Sequence, residues 1–303
     1  MDSTNWSAAQ FEAHRPQLRA VAYRMLGSLS EADDAVQESW LRLSRSGADD
    51  IVNLRAWLTT VVSRVCLDML RARTARREDP LDVHVPDPVV TEASDDPEEH
   101  ALLADSVGLA LLVVLDTLSP TERLAFVLHD IFAVPFDQIG GILDRSPAAA
   151  KQLASRARQR LRGATPATAT DPSRQREIVD AFHAAAREGD LAGLLAVLAP
   201  DVVLRADAGA GPRGPSRLIR GAEEVAAEAI QFAALARFAR PVLINGTPGF
   251  LVAPHGRPFA LIGLTTHNDK ITEIDILADP DRLNRLDLPA PPAPAPGAPD
   301  TDA

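Results

Sequence analysis

Apolar residues recur at three- and four-residue intervals from residue 7 to about 77, which predicts helices only. In SLSEADDAVQESWLRLS the positions Ala32, Ala35, Val36, Ser39, Trp40 and Leu43 fall on one helical face. Ser30 is the expected N-cap, with Asp33 three residues on as an approximate capping box. After the loop SRSGADDIVN, LRAWLTTVVSRVCLDMLRAR predicts a long helix. Leu58, Val61, Val62, Val65, Met69 and Ala72 lie on one side of it, and Thr60, Ser63, Arg64 and Arg71 opposite. A second helical module is expected over 107–163.

The texture changes after Thr165. REIVDAFHAAAREGDLAGLLAVLAPDVVLRAD reads as helix, helix, strand, and GAEEVAAEAIQFAALARF as a further helix. PVLIN, GFLVAP, RPFALIGLTTH and KITEIDILAD then predict strands joined by turn residues. The expected fold class is multidomain: two all-α modules followed by an α+β domain with a curved antiparallel sheet. The expected boundaries are 7–77, a mostly extended linker at 78–106, 107–163, a third domain at 174–288, and a disordered Pro/Ala tail at 289–303. ILADPDRLNRL, with Pro280 at a helix start and the apolar pair Leu283 and Leu286, is the segment expected to touch the helical modules.

Charge sharpens this division. The chain of 303 residues carries a formal net charge of −11, yet its charges are segregated. Five arginines stand between Arg64 and Arg77 against Asp68 alone, and ten acidic residues with no Lys or Arg follow from Glu78 to Asp105. Arg145–Arg162 then holds six basic residues and no acid. Two cationic modules around an acidic linker suggest two contacts with a polyanion; solvated helix faces are the plainer reading. The acidic run is also expected to fold back over those cationic faces. The single cysteine, Cys66, excludes an intramolecular disulfide framework, fits a reducing cytoplasm, and reads as a packed thiol. The most apolar stretch, VGLALLVVL, has about half the length a bilayer crossing needs. A cytoplasmic location, no membrane association and no secretory signal are expected.

The cleanest chemical signal is VPFDQIGGILDRSPAAAKQLASRARQRLRG. A short helix from Phe136 to Leu143 is followed by Ser146 as a cap and Pro147 in the first turn of the next helix, the spacing of a helix-turn-helix. Ala150, Leu153, Ala154, Ala157 and Leu161 would be buried. Lys151, Gln152, Ser155, Arg156 and Arg158 would face a major groove, where Gln pairs with adenine and Arg or Lys with guanine or phosphate. An arginine-rich surface helix is the alternative reading.

These segments, with FEAHRPQLRAVAYRMLGSLSEADDAVQESWLRL and LSPTERLAFVLHDIFA, resemble regions 2 and 4 of bacterial extracytoplasmic-function sigma factors. GDLAGLLAVLAPDVVLRAD and ADPDRL are similar to the SnoaL-like domain that one subgroup carries at its C-terminus. The resemblance implies a sigma initiation factor that binds core RNA polymerase through the β′ coiled coil and the β flap. It also implies two promoter elements and a fused domain that regulates the sigma module. Asp34, Gln37, Trp40 and Leu41 are the implied polymerase contacts. The loop from Ser44 to Asn53 would receive an unstacked base of the −10 element. Asn53, Arg55, Ser63, Arg64 and Arg71 would hold that element, and the basic helix the −35 element. Two stretches depart from the subgroup: VHVPDP at 83–88 lacks its tryptophan, and DAGAGPR from Asp207 to Arg213 replaces Asp, three Gly and Lys.

A second function class stays open. SnoaL-like domains share a cone with ketosteroid-isomerase-type enzymes, which need a general base over an apolar cavity. Asp207, Glu273, Asp275, His183, His255 and His267 are the titratable candidates. The domain has no tyrosine, Asp207 is expected to begin a turn, and Asp275 to face solvent on an alternating strand. A small-molecule ligand in the cone is expected more than catalysis. No cofactor is expected, and the histidine spacing does not suit a metal.

Overall fold

The computed structural model describes residues 3–46, 51–75, 83–92, 108–161, 171–209 and 215–289. Three helices open the chain: α1 (Ser3–Leu26), α2 (Leu29–Ser46) and α3 (Leu54–Ala75). α2 starts one residue before Ser30, so Ser30 is not its cap. Asp33 turns instead to Arg19 of α1, at 2.6 Å. Ala32, Ala35, Val36, Ser39 and Leu43 are buried as expected, while Trp40 is half-buried against Phe11, ring centroids 5.1 Å apart. On α3 the buried face is broader than the expected stripe. Leu58, Val62 and Val65 are joined by Ser63, Cys66, Leu67 and Leu70, whereas Ala72 is exposed. The reason is that α3 packs on α1 and α2 along one side and on the second helical module along another. Cys66 is fully enclosed, and burial pushes its thiol up to about 12.

The second module comprises α4 (Leu109–Asp116), α5 (Pro120–Phe126) running into a π-turn (Val127–Ile131), α6 (Phe136–Leu143) and α7 (Pro147–Leu161). Ser119 and Glu122 form a capping box at the start of α5. Both modules share one apolar core, in which Phe11, Leu58 and Val62 meet Leu115, Leu124 and Ile139. The nine-residue apolar run is explained by α4, which is buried on nearly every side. Leu112 and Leu115 enter the helical core, and Leu109 enters a second cluster built on the third domain's sheet.

That domain holds α8 (Pro172–Glu188), α9 (Leu191–Val197), α10 (Ala222–Gln231), α11 (Ala233–Ala236) and α12 (Pro280–Leu283). Its strands are β2 (Leu198–Asp207), β3 (Arg217–Arg220), β4 (Ala239–Ile244), β5 (Thr247–Val252), β6 (Ala260–His267) and β7 (Lys270–Leu277). With β1 (Val90–Glu92) at one edge, the sheet order is β1-β4-β5-β6-β7-β2-β3. Pairing is antiparallel except between β2 and β7, which run parallel; the helical crossover of α10 and α11 carries the chain from β3 to β4 before the meander returns to β2 through β7. β3 has only four residues, and RLIR carries no clear strand pattern.

The first strand of the sheet is not part of the domain in sequence. β1 (Val90–Glu92) belongs to the linker and pairs with β4, Val90 opposite Ile244 and Glu92 opposite Val242. Within the linker expected as mostly extended, this part supplies an edge strand, whose backbone groups the sheet satisfies. The acidic positions from Asp95 to Glu99 and the Pro/Ala tail beyond Pro289 lie outside the described residues.

Candidate nucleic-acid interface

The helix-turn-helix geometry is built by two residues with special backbone needs. Asp144 ends α6 in the left-handed region at φ 53. At Gly140 a Cβ would stand 2.7 Å from the Arg145 carbonyl oxygen, so no side chain fits inside the turn. Ser146 Oγ accepts from the Ala149 amide at 3.2 Å, the expected cap. Ala150, Ala154, Ala157 and Leu161 anchor α7, and Lys151, Gln152, Ser155 and Arg156 stand exposed along it. Arg158 is instead half-buried and donates to Asp130 at 2.7 Å. The basic run contains no acid, but the fold brings Asp130 and Glu122 to it from α5 and the π-turn.

The residues expected at the −10 element divide. Arg55 and Arg71 are exposed, Arg71 facing Asp68 at 3.7 Å. Asn53 is occupied as the cap of α3, its Oδ1 accepting from the Ala56 amide at 3.0 Å. Ser63 is fully buried, which removes it from any surface in this conformation; helical spacing placed it opposite the stripe, but the second module covers that side. Arg64 crosses to that module, where its Nη2 donates to the Gly141 carbonyl at 2.8 Å and lies 3.8 Å from Asp144. Asn53, Trp57 and Thr60 form one wall of a cleft whose other wall is Gln138, Gly141 and Ile142 of α6. Of the expected polymerase contacts, Asp34, Gln37 and Leu41 are exposed together on α2 beside the half-buried Trp40.

A polar latch joins linker, first module and third domain. Arg282, at the start of α12, donates to Asp87 from Nε at 2.8 Å and to Asp207 from Nη1 at 2.8 Å, and it also reaches the Val85 carbonyl. Asp207 accepts from the Val85 amide at 3.0 Å and faces His84 at 3.3 Å. Burial works against its charge, but His84, the Val85 amide and Arg282 outweigh it and hold the carboxyl down at about 2. The two stretches that depart from the subgroup, VHVPDP and the one opening at Asp207, thus touch each other. Asp87 ties the linker to the first module, its amide donating to the Gly27 carbonyl at 2.8 Å and its Oδ2 accepting from the Leu29 amide at 3.1 Å.

Tyr23 and Asn245 complete the latch. The Tyr23 hydroxyl donates to the Asp87 carbonyl and accepts from Asn245 Nδ2 at 3.1 Å. Asn245 also exchanges bonds with Val89, accepting from its amide at 3.0 Å and donating to its carbonyl at 2.8 Å. It can do so because it occupies the left-handed position of the Asn245-Gly246 hairpin turn. Burial raises the Tyr23 hydroxyl, keeping it a neutral donor. Sequence reasoning missed Tyr23, Asn245 and Arg282; the Asn-Gly pair was the one local signal, and it marks a turn without saying what the side chain meets.

Comparison with known proteins places these features in a family. Residues 10–76 match the Sigma-70 region 2 model and 108–161 the Sigma-70, region 4 model. The chain is 36% identical over 283 residues to the probable ECF RNA polymerase sigma factor SigI of Mycobacterium tuberculosis, covering 92% of this chain and 95% of that protein. The chain belongs to the extracytoplasmic-function RNA polymerase sigma factors. It is also 42% identical over 219 residues to SigJ of the same species, covering 72% of this chain and 70% of SigJ. The crystal structure of SigJ superposes with a TM-score of 0.75 at 35% identity, over 93% of this chain and 100% of the other, so the likeness includes the SnoaL-like domain.

Within this sigma factor, the two faces of the third domain's sheet have different neighbours. The inner face, with α8, α10 and α11, encloses an apolar cavity of about 160 Å³ lined by Phe182, Phe232, Phe250, Ile262 and several alanines. His183 reaches it, stacked on Phe250 at 4.7 Å with Nε2 bonded to the Ala236 carbonyl at 2.9 Å. Arg217 and Glu228 pair at 2.8 Å on its border. Asp207, Glu273 and Asp275 do not line it. They stand on the outer face with Arg205, whose Nη1 donates to Glu273 and Asp275, both at 3.0 Å. The alternation expected for Asp275 is correct, but its face is covered rather than solvated, and Asp207 is likewise buried. Leu109, Val85 and Leu283 pack on that face. Burial pushes Asp275 up to about 6, with Glu273 adding to the shift and Arg205 opposing it. His255 and His267 do not line the cavity either. Among the described residues no cluster could hold a metal ion, and no helix is long and apolar enough to cross a membrane.

Proposed function

We propose that this sigma factor is held closed by its own SnoaL-like domain and opens onto core RNA polymerase and promoter DNA. The observation that carries the reading is Arg64. A side chain suited to the −10 element donates instead to the first helix of the helix-turn-helix, 77 residues further on. Two promoter elements occupy separate stretches of duplex, so both faces must be free at once, and in the closed arrangement α6 covers one with its own module.

In the open state Arg55, Arg64 and Arg71 hold the −10 element, joined by Asn53 and Ser63 only after the covering module leaves. Lys151, Gln152, Ser155 and Arg156 read the −35 element, with Arg158 freed from Asp130. Asp34, Gln37, Trp40 and Leu41 meet the β′ coiled coil, and the second module meets the β flap. The third domain is a regulator without catalysis of its own: Asp207, Glu273 and Asp275 lie on the face away from the cavity, and Glu228, the carboxylate that borders it among the described residues, is paired with Arg217 at 2.8 Å. The cavity takes a small apolar molecule; a dry apolar cavity of about 150 Å³ accommodates a benzene-sized ligand.

Run-off transcription with core polymerase tests closure. Arg282→Ala releases the linker from the third domain and is expected to raise promoter-specific output several-fold, with the third domain still melting cooperatively. Equal output from wild type and variant would overturn the reading.

A further inference from the structure

The latch borders a cleft of about 450 Å³ in which four segments of the chain meet. Region 2 contributes Gly27 and Arg73, the linker His84 and Asp87, region 4 Asp116 and Arg123, and the third domain Asp207, Arg282 and Arg285. Its charges are unevenly spent. Glu31 is taken by Arg73, Asp116 by Arg123, and both Asp87 and Asp207 by Arg282. Every carboxylate on the wall therefore already has a guanidinium.

Two donors are left over. Arg123 is 3% exposed. Its Nε donates to the Arg24 carbonyl at 3.1 Å and its Nη1 to Asp116, but its Nη2 is buried with no partner among the described residues. Leaving a buried donor on a charged group unpaired forfeits its hydration with nothing in return, so it calls for an acceptor. The space beside it is reserved by Gly27: a Cβ there would stand 3.6 Å from Arg123 Nη2 and 3.6 Å from Asp116 Oδ1, the carboxylate oxygen already bonded to Arg123 Nη1. Gly27 is in the left-handed region at φ +69, so other side chains are strained at that position and the space stays open. The second donor is Arg285, an exposed arginine one turn along from Arg282 whose side chain makes no ion pair among the described residues.

We infer that this four-way cleft binds a small phosphate, free or as an ester, between the spare Arg123 Nη2 and the Arg285 guanidinium. Phosphate oxygens suit planar guanidinium donors, which is why arginine dominates such sites. Because the walls come from all four segments, the anion binds only the closed sigma factor and holds it closed. This consequence rests on the closure reading above; binding itself does not. An apolar ligand leaves both donors unsatisfied.

The test titrates the full chain with inorganic phosphate and, separately, glycerol phosphate, each against chloride at matched ionic strength. Calorimetry and melting are read on wild type, Arg285→Ala and Arg285→Lys. At about ten times Kd, the wild-type Tm is expected to rise by roughly 3 °C. Arg285→Ala is expected to lose most of that rise and Arg285→Lys to keep part of it. A larger effect of the ester identifies an esterified ligand, and a larger effect of the free ion inorganic phosphate. An equal rise in wild type and Arg285→Ala would be a general salt effect and would overturn the site. Run-off transcription separates the two claims. Phosphate should lower wild-type output and leave Arg285→Ala output unchanged. Binding that depends on Arg285 without any change in output would uphold the site and overturn its link to closure.

Discussion

The inner face of the third domain's sheet carries aromatic and small apolar side chains around a cavity, and no aspartate. The outer face, one residue out of phase along the same strands, carries Arg205, Asp207, Glu273 and Asp275 under the linker and α4. A domain that placed its carboxylates for catalysis would aim them into the cavity. Here Asp207 is spent on the linker and Arg282, Glu273 and Asp275 on Arg205 of the same sheet, and Glu228, at the cavity border, on Arg217. The fold shared with isomerases is thus one scaffold with two usable faces, and which face holds the charges decides the role.

The largest effect is expected from breaking the outer face at Asp207. Asp207→Ala leaves Arg282, His84 and the Val85 amide without their shared acceptor. Removing one member of a buried charged pair costs about 3–5 kcal/mol. The loss should appear as undocking of the linker: faster protease cleavage near residues 83–92 and faster exchange of the Val85 and Val89 amides. The inner face should be untouched, with helix α8 exchanging as in wild type. If linker protection survives in Asp207→Ala, the outer face is not what holds the segments together.

Asp275 sharpens the comparison through pH. Its pKa is raised in the folded protein from 3.8 to about 6. The protonated form is therefore favoured by folding, and this contribution is present below pH 3.8 and lost as pH rises through about 6. A shift of that size corresponds to an upper bound of about 3 kcal/mol. Asp207 has the opposite sign: held at about 2, its contribution is present above pH 3.8 and lost as pH falls through about 2. Asp275→Asn should flatten the stability profile between pH 4 and 6.5 and leave the acid limb governed by Asp207. Urea titrations across that range read the difference. A wild-type profile already flat between pH 4 and 6.5 would show that Arg205 keeps Asp275 ionised throughout.

What was legible in the sequence was whatever depends on residues near one another. The helix-turn-helix, with Gly140, Ser146 and Pro147, is local chemistry, and so are the alternating strands. The apolar run at α4 was visible but not its meaning, because burial on nearly every side needs two partners. Ser63 was misplaced for the same reason: a helical wheel shows which side differs, not how many sides are covered. The latch was least visible. Asp87, Asn245 and Arg282 stand 64 to 259 residues from Tyr23, and nothing in their immediate neighbours says that they meet. The segment around Pro280 was singled out for its apolar pair, and Leu283 does enter the cluster with Val85 and Leu109; Arg282, just before Leu283, was not singled out.

The smallest effect is expected on the inner face. Ala229, on α10, lines the cavity, and Ala229→Leu puts an isobutyl group into it. Filling an existing void with an apolar side chain changes stability by less than about 1.5 kcal/mol when the added volume is accommodated. The variant should melt near wild type, and indole, a flat apolar probe of suitable size, should bind wild type and not the variant. Transcription should be the same for both within about two-fold, since no linker or helical-module residue lines the cavity. A changed output in Ala229→Leu with unchanged melting would be the informative failure. It would mean that the two faces are coupled through the strands they share, and that occupancy of the cavity is read by the latch on the other side.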